Sequence, residues 1–423
     1  MNTQTSPALK TPVNGPAARQ RGVTLVLMAI SLLALLGFAA LSLDGSNLYV
    51  ARNELQNASD AGALAGARVL YVDSGARVNE GANNVARDAA MANNSQGTAV
   101  EVAGVQRGHW SFTTRTFTPN PSLEPVDLFN RSTQDLDLDP NFINAIEVVT
   151  ERRATPVQAF FGAVLGFADY DVSARAVAYI GFAGSLRPED ADQPIAICRD
   201  AITSGGDYSC NVGRFIDNNS ETGGWTNFQH DQSGATNANE LSQLVCSDGN
   251  PDEIRFGEDI ATNNGQVQSA FADLYACWVE QTDKERLWNL TVPVIDCSGG
   301  IAPSNPVVGA VNLNIVWIVD QDNRIDDQAP WTMELPPEDT QDTASGVWSN
   351  DNPDGITRWD DFVETFNIRR PNGELASYSP PPDRGGWRQK TIYFLPDCSV
   401  SEPRGRTGGE NFGVLAQIPV LVD

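Results

Sequence analysis

From Gly22 to Leu43 the chain carries no charged residue and is apolar almost throughout, and Asp44 ends the run. At ~1.5 Å per helical residue such a stretch crosses the ~30 Å hydrocarbon core of a bilayer, and it outlasts the apolar centre of an ordinary secretory signal. The pattern predicts a membrane-spanning helix over 22–43. Residues 1–21, rich in Thr, Pro, Asn, Gln and Ala, have nothing to bury and read as a disordered tail. Ala40-Leu41-Ser42 also fits a small-residue cleavage site, so a removed signal peptide is the competing reading. Past Asp44, residues Leu48, Ala51, Leu55, Ala58, Gly62, Ala65 and Val69 recur at alternating steps of three and four, one seam of a helix running on to about Leu70. Small residues there let another surface approach closely. That surface is either the chain's own ectodomain or a partner, and leucine at Ala58 or Ala65 is expected to overfill it. A second helix, about Ala82 to Ala92, follows a break at Asp73-Ser74-Gly75, giving a helical stalk over 44–95.

From Thr98 the pattern shortens to alternation, as in Ala99-Val100-Glu101-Val102 and Trp110-Ser111-Phe112-Thr113, which suits half-buried strands. Ile143–Thr150 and Asp171–Ile180 continue it. Between them, Pro156 to Gly166 has proline near its start and glycine at its end, the asymmetry of a short helix. These segments make a small α/β domain over 96–183, and the polar stretch 184–194, with Pro188 and Pro194, reads as a linker. The remainder, 195–423, reads as a β-rich distal domain. It has candidate strands at Thr291–Ile295, Val311–Val319 and Thr391–Leu395, a helix at Gln266–Val279, and long Pro/Gly/Asp-rich loops between Asp326 and Arg388, Pro380-Pro381-Pro382 among them. The fold class is α+β.

Charge separates the two ends. Lys10, Arg19 and Arg21 precede Asp44 with no acid among them, so the net charge of −26 comes wholly from the rest of the 423 residues. Basic flanks stay in the cytoplasm, which places the N-terminus inside and the acidic body outside, in a bacterium the periplasm or cell surface. Near-absence of lysine, and no arginine cluster interleaved with aromatics, argue against nucleic-acid binding. All six cysteines, Cys198, Cys210, Cys246, Cys277, Cys297 and Cys398, lie in the distal domain, and an even number in an oxidising compartment favours three disulfides. Many connectivities are open; proximity suggests Cys198–Cys210 and Cys246–Cys277, leaving Cys297–Cys398.

Enzymatic chemistry finds little support. The GxSxG, HExxH, GxxxxGK[ST] and strand-following GxGxxG patterns are missing, and a Ser–His or Cys–His pair would need His109 or His230, which read as packing or surface residues. No catalytic residue, cofactor or metal ligand is assigned. Asn350-Asp351-Asn352-Pro353-Asp354-Gly355 with Asp361 partly imitates a calcium loop, as do Asp320-Gln321-Asp322 with Asp326-Asp327, and Asp135, Asp137 and Asp139, but solvated turns explain them as well. Trp225, Trp331, Trp348, Trp359 and Trp387, in or near loops, raise a glycan-binding adhesin as the alternative function; Trp317, inside an alternating strand, reads as core.

Arg21-Gly22, the apolar span, Leu43-Asp44-Gly45-Ser46-Asn47-Leu48-Tyr49, and the run Leu55-Gln56-Asn57-Ala58-Ser59-Asp60-Ala61-Gly62-Ala63-Leu64-Ala65-Gly66-Ala67 together resemble the N-terminal region of TadG-like proteins of the Flp/Tad pilus-assembly system. Gly108-His109-Trp110 with Phe117, Asn144-Ala145-Ile146-Glu147-Val148, Phe160-Phe161 and Val172-Ser173-Ala174-Arg175-Ala176-Val177-Ala178 resemble that family's inner blocks, so the likeness covers about 19–180. Gly224-Trp225-Thr226 and Pro293-Val294-Ile295-Asp296-Cys297 are similar to segments of longer members. The resemblance implies a non-enzymatic, single-pass inner-membrane accessory of pilus assembly that supports adhesion and biofilm. Its partners would be pilins or other assembly components met through the stalk helix, with a homo-oligomer left open. Some members carry a von Willebrand A domain with a metal-binding Asp-x-Ser-x-Ser loop; no such loop follows a buried strand here, so that activity is not implied. Arg21-Gly22-Val23-Thr24-Leu25-Val26-Leu27 resembles a prepilin peptidase site, yet Leu27 stands where pilins have glutamate, which favours an uncleaved anchor over a pilus subunit.

Overall fold

The structure, a computed structural model, describes residues 21–72, 77–128, 131–204, 207–208, 210, 214–215, 222–230, 236–264, 267–320, 329–335, 346–369, 374–377, 390–395, 398–401, 405–407, 409–416 and 418–423. The tail 1–20, the break at Asp73-Ser74-Gly75, Gln266, the aspartates Asp322, Asp326 and Asp327, Pro380-Pro381-Pro382 and Trp387 lie outside these residues.

A single helix, α1 (Arg21–Arg68), runs from the apolar span into the first domain without a break. Along 22–43 nearly every side chain is exposed, and this stretch is long and apolar enough to cross a membrane. Beyond Asp44 one stripe is buried: Ala51, Leu55, Ala58, Ser59, Gly62, Ala63, Gly66, Ala67 and, just past the helix, Leu70. Four of the seven seam positions lie in it, whereas Leu48, Ala65 and Val69 are only half-buried at its margin. The reason is geometric. A repeat of 3.5 drifts by ~20° per heptad around a straight helix of 3.6 residues per turn, so burial walks from the seam onto the adjacent positions.

The stripe packs within the chain. Helix α2 (Ala82–Met91) lays Ala82, Ala86 and Ala90 beside α1, and both helices cover one face of an antiparallel sheet. A small separate hairpin, β1 (Asn94–Ser95) and β2 (Thr98–Ala99), leads into the strands of the sheet: β3 (Glu101–Ser111), β4 (Thr116–Pro119), and, after the short helix α3 (Thr133–Asp137), β5 (Ala145–Gln158) and β6 (Asp169–Tyr179). Alternation holds along β5, where Ile146, Val148, Thr150 and Arg152 are buried under the helices while Glu147, Val149 and Glu151 between them are half-exposed. The helix expected at Pro156–Gly166 is a strand that ends at Gln158, followed by a hairpin loop with one 3-10 turn, Gly162–Leu165, closed by Gly166 at φ 93°. Proline fits the strand because the register shifts between Arg152 and Val157, so the missing N–H falls in a bulge.

The expected linker is structured as well. β7 (Ser185–Leu186) pairs with Ile254–Arg255, and Leu186 and Ala191 are buried in the second domain. That domain holds β8 (Ile195–Cys198), β9 (Gly223–His230), α4 (Ala238–Leu244), β10 (Ile254–Arg255), β11 (Asp259–Asn263), α5 (Gln268–Thr282), β12 (Trp288–Ile295) and the long β13 (Ser304–Val319). Pairing runs β13, β11, β9, β8, β12 and back to β13, so the sheet closes on itself; only β8 with β12 is parallel. Inside the stretch expected as loops sit the hairpin β14 (Thr332–Glu334) and β15 (Val347–Ser349) and a helix, α6 (Gly355–Thr365), whose Trp359, Phe362 and Val363 pack into the core with Trp317. Strands β16 (Thr391–Phe394) and β17 (Ser399–Val400) both pair with β13, and Arg214–Phe215 pairs along the other side of β16.

Two of the three disulfides differ from the expectation. Cys246–Cys277 forms as proximity suggests, but Cys198 pairs with Cys297 and Cys210 with Cys398, Cα atoms 5.5 Å apart in each. Tertiary adjacency explains the first: Cys198 ends β8 opposite Ile295 of parallel β12, so Cys297, two residues further on, arrives beside it. Cys398, just before β17, is carried to Cys210 by the pairing with β13.

Finally the chain returns to the first domain. Phe182 and Ala183 bridge Leu415 and Thr407, and β18 (Val420–Leu421) adds to the edge of β6, completing the order β18-β6-β5-β3-β4. Residues 420–423, expected within the distal domain, therefore belong structurally to the first sheet.

Candidate functional site

The residues that carry the sequence resemblance converge on one surface, the contact between α1 and the first sheet. Asp44 is the first charged residue after the span, and its carboxylate accepts the backbone N–H groups of Phe160, Phe161 and Gly162 at 2.7–3.3 Å. Asn47 donates its side-chain amide to Gln158 O. Gln96 donates its side-chain amide to Asn47 O, and two helical turns further the side chain of Glu54 accepts the N–H of Gln96 at 2.7 Å, so both hairpin tips are tied to α1 where it leaves the apolar span.

Next comes the Gln-Asn-Ala-Ser-Asp-Ala run. Gln56 donates to Asp60 Oδ1 and to Arg175 O, 2.8 and 2.9 Å away. Thr150 donates to Leu55 O at 2.9 Å, which leaves Ser59 as the donor across the 2.8 Å contact between their hydroxyls. Two glycines set the helix spacing. A Cβ on Gly62 would stand 2.7 Å from Ala86 O and 2.9 Å from Ala90 Cβ, and one on Gly66 would stand 2.6 Å from Ala86 Cβ and 2.9 Å from Ile146 Cδ1. The run is thus a docking face read by α2, β5 and β6.

The inner blocks serve the same sheet. Asn144 takes the N–H of Trp110 on Oδ1 and donates its amide to Trp110 O, holding the end of β3 to the start of β5. Buried His109 has Nδ1 2.8 Å from Phe142 O and Nε2 2.8 Å from Asp137 O. Asp137 in turn accepts from Ser111 Oγ and from the N–H groups of Phe112 and Thr113. Partial burial pushes its carboxyl up, but these donors outweigh that and hold it below the ordinary carboxylate range.

Glu101 performs the matching task at the bulge of β5, where its carboxylate accepts the hydroxyl of Thr155 at 2.6 Å and the N–H groups of Arg153, Ala154 and Thr155. The Thr155 hydroxyl first, then the backbone donors, overcome desolvation and bring it down to about 2. A depressed carboxyl stabilises the fold fully above its ordinary value of 4.5, and that contribution is lost as pH falls towards 2. Urea unfolding of the full chain beside Glu101→Gln should show the midpoints furthest apart above pH 4.5 and converging near pH 2. A gap that is constant with pH would contradict this account.

Comparison with known proteins meets this same surface. The Flp pilus-assembly TadE/G-like family model matches residues 22–69, and the Tad-like Flp pilus-assembly model matches residues 65–178. Neither the curated proteins nor the solved structures gave a match. Over residues 22–178 the chain is similar to TadG-like, Flp/Tad pilus-assembly proteins. The two matches span α1 to the end of β6, which is the helix-on-sheet unit just described; the second domain of this TadG-like protein lies outside both.

In that second domain the residues singled out for other chemistry are engaged structurally. His230 donates from Nδ1 to Asp259 O and accepts the N–H of Arg255 on Nε2, so both nitrogens are occupied, as are those of His109. All six cysteines are bridged. In the calcium-like loop, Asn350 and Asn352 give their side-chain oxygens to the N–H groups of Asn352 and Asp354, and Asp361 accepts from Trp348 Nε1 and Asn350 Nδ2. Asp354 starts α6 and takes the Thr357 hydroxyl. Among the described residues no three His, Cys, Asp or Glu side chains gather as a metal site. Of the loop tryptophans, Trp225, Trp348 and Trp359 are buried; Trp331 is 48% exposed, with the Arg358 guanidinium stacked 3.6 Å over its ring.

Sequence reasoning missed the parts played by Asp44, Glu101 and β18. A signal existed for the first, since a carboxylate closing an apolar span has to find donors nearby.

Proposed function

We propose that this TadG-like chain is a non-enzymatic, membrane-anchored scaffold of Flp/Tad pilus assembly, set in the inner membrane with its N-terminus in the cytoplasm. The observation that carries this reading is the continuity of α1. One helix is apolar and exposed along 22–43 and then becomes part of the core of the first domain, so the domain cannot swivel freely on its anchor. A rigid anchored body suits the holding of components at the membrane during assembly. The basic residues before the span and the acidic remainder support the orientation. Three disulfides support export to an oxidising compartment. Because the small-residue stripe is filled by α2 and the sheet, partners or further copies would meet other surfaces of the domain.

An in-frame deletion in the native bacterium tests this, with surface pili imaged beside attachment and a restored copy as control. Loss of both pili and attachment, regained on restoration, is the expected outcome. Normal pili with poor attachment would favour the glycan-binding adhesin, and no change in either would overturn the pilus reading.

A further inference from the structure

The loop that joins β5 to β6, residues 159–168, reads Ala-Phe-Phe-Gly-Ala-Val-Leu-Gly-Phe-Ala and contains no charged or hydrogen-bonding side chain. Hairpin tips facing water are ordinarily polar, yet here Phe160 is 68% exposed, Phe161 37% and Phe167 61%. Position explains the composition. Along α1, the sheet contacts progress from Ile146 and Val148 near Gly66 and Gly62, through Thr150 at Ser59 and Leu55, to Phe160 and Gly162 at Asp44. The hairpin therefore points down the helix toward the span and ends level with its last apolar residue, Leu43.

We propose that this loop is a second membrane contact, with Phe160, Phe161 and Phe167 inserted into the lipid of the leaflet from which α1 emerges. The inference rests on α1 spanning a bilayer. Headgroup layers are on the order of 5–7 Å deep on each side of the hydrocarbon. A loop bonded to the first residue beyond Leu43 starts inside that layer, and its apolar surface is continuous with the exposed side chains of the span. The Asp44 carboxylate faces three N–H groups, so it satisfies the backbone of the loop as water is withdrawn. The neighbouring tip, Asn94-Ser95-Gln96-Gly97-Thr98, also held to α1, is polar. A lipid-seeking tip and a water-seeking tip thus sit side by side at the helix exit, both bonded to Asn47. The absence of charge from the loop selects lipid by apolar burial, without a preference for anionic headgroups.

Single nitroxide labels on the full chain in phosphatidylcholine vesicles test the contact, introduced as Phe160→Cys, Leu36→Cys within the span, and Thr114→Cys at the far end of the same sheet. Collision with oxygen reports lipid and collision with a water-soluble nickel chelate reports solvent. At Phe160 the nickel signal is expected to fall several-fold below that at Thr114, with oxygen raised, at a depth shallower than Leu36. A label at Phe160 as open to nickel as Thr114, while Leu36 is deep, would overturn the loop contact and leave the anchor standing. Nickel access at Leu36 would remove the membrane reading beneath both. Shielding of Phe160 from both reagents would show another protein copy covering the loop and would likewise overturn lipid insertion.

Discussion

Leucine in place of Gly66 is expected to lift α2 from α1 and destabilise the first domain by about 1–3 kcal/mol, the usual range for overfilling a packed core. Even the first added carbon would meet Ala86 Cβ at 2.6 Å, Ile146 at 2.9 Å and the backbone oxygen of Ala82 at 3.2 Å. None of these can retreat cheaply, because α2 is pressed on the sheet through its three buried alanines and β5 lies between two paired neighbours. Ala58→Leu should act in the same direction, since Ala58 is enclosed by Leu55, Val100 and Ala174. Ala65→Leu is the control. Its position at the margin of the stripe leaves room toward solvent, so a change within about 0.5 kcal/mol is expected. Thermal unfolding of the full chain in detergent would rank the three, and surface pili scored in the same strains would relate packing to assembly. Equal losses at Ala65 and Gly66 would sink this account of the seam.

The second large effect belongs to the Cys210–Cys398 disulfide. Replacing both cysteines by serine should cost about 2–5 kcal/mol, because the bridge restrains the unfolded chain across a separation of 188 residues. The Cys246–Cys277 bridge spans only 31. With the Cys198–Cys297 bridge intact the path from Cys210 to Cys398 is shortened, and loop-closure entropy alone makes the longer bridge more stabilising by about 1 kcal/mol. Paired serine variants, unfolded in urea with the remaining bridges intact, give the ordering directly; the reverse ordering would mean that native packing around each bridge outweighs chain entropy.

What the sequence disclosed and what it hid follow from the range of the forces involved. The span, the course of α1, the strands at Ile143–Thr150, Asp171–Ile180 and Val311–Val319, and the core role of Trp317 were legible because each is written in a local period. Proximity along the chain gave Cys246–Cys277 but failed for the nearer pair Cys198 and Cys210. Cys198–Cys297 was not legible, since it depends on two strands lying parallel, which no local pattern announces. Helix α6 was hidden by the Asn, Asp and Pro residues that build its entry, although Trp359, Phe362 and Val363 bury one of its faces. Pro156 misled because proline favours a helix start in isolation, while here a bulge excuses its missing N–H. Within the docking surface, residue types gave away the close approach of the helices, but the carboxylate ties from Asp44 and Glu101 to distant backbone could only be seen once folded.

Strand β18 also sets a schedule. Val177 donates its N–H to Asp423 O, accepts that of Val422, and is followed by the pairs Ala178–Leu421 and Tyr179–Val420, while Arg175 meets the Asp423 carboxylate across 248 residues of chain. Ribosomes add on the order of 5–20 residues each second, so this interval lasts roughly 10–50 s. Through that time α1 can already be in the bilayer while the free edge of β6 waits for its neighbour. Completion of the first sheet is thereby timed by synthesis of the whole second domain, and a chain stalled before Val420 leaves the edge of β6 unpaired.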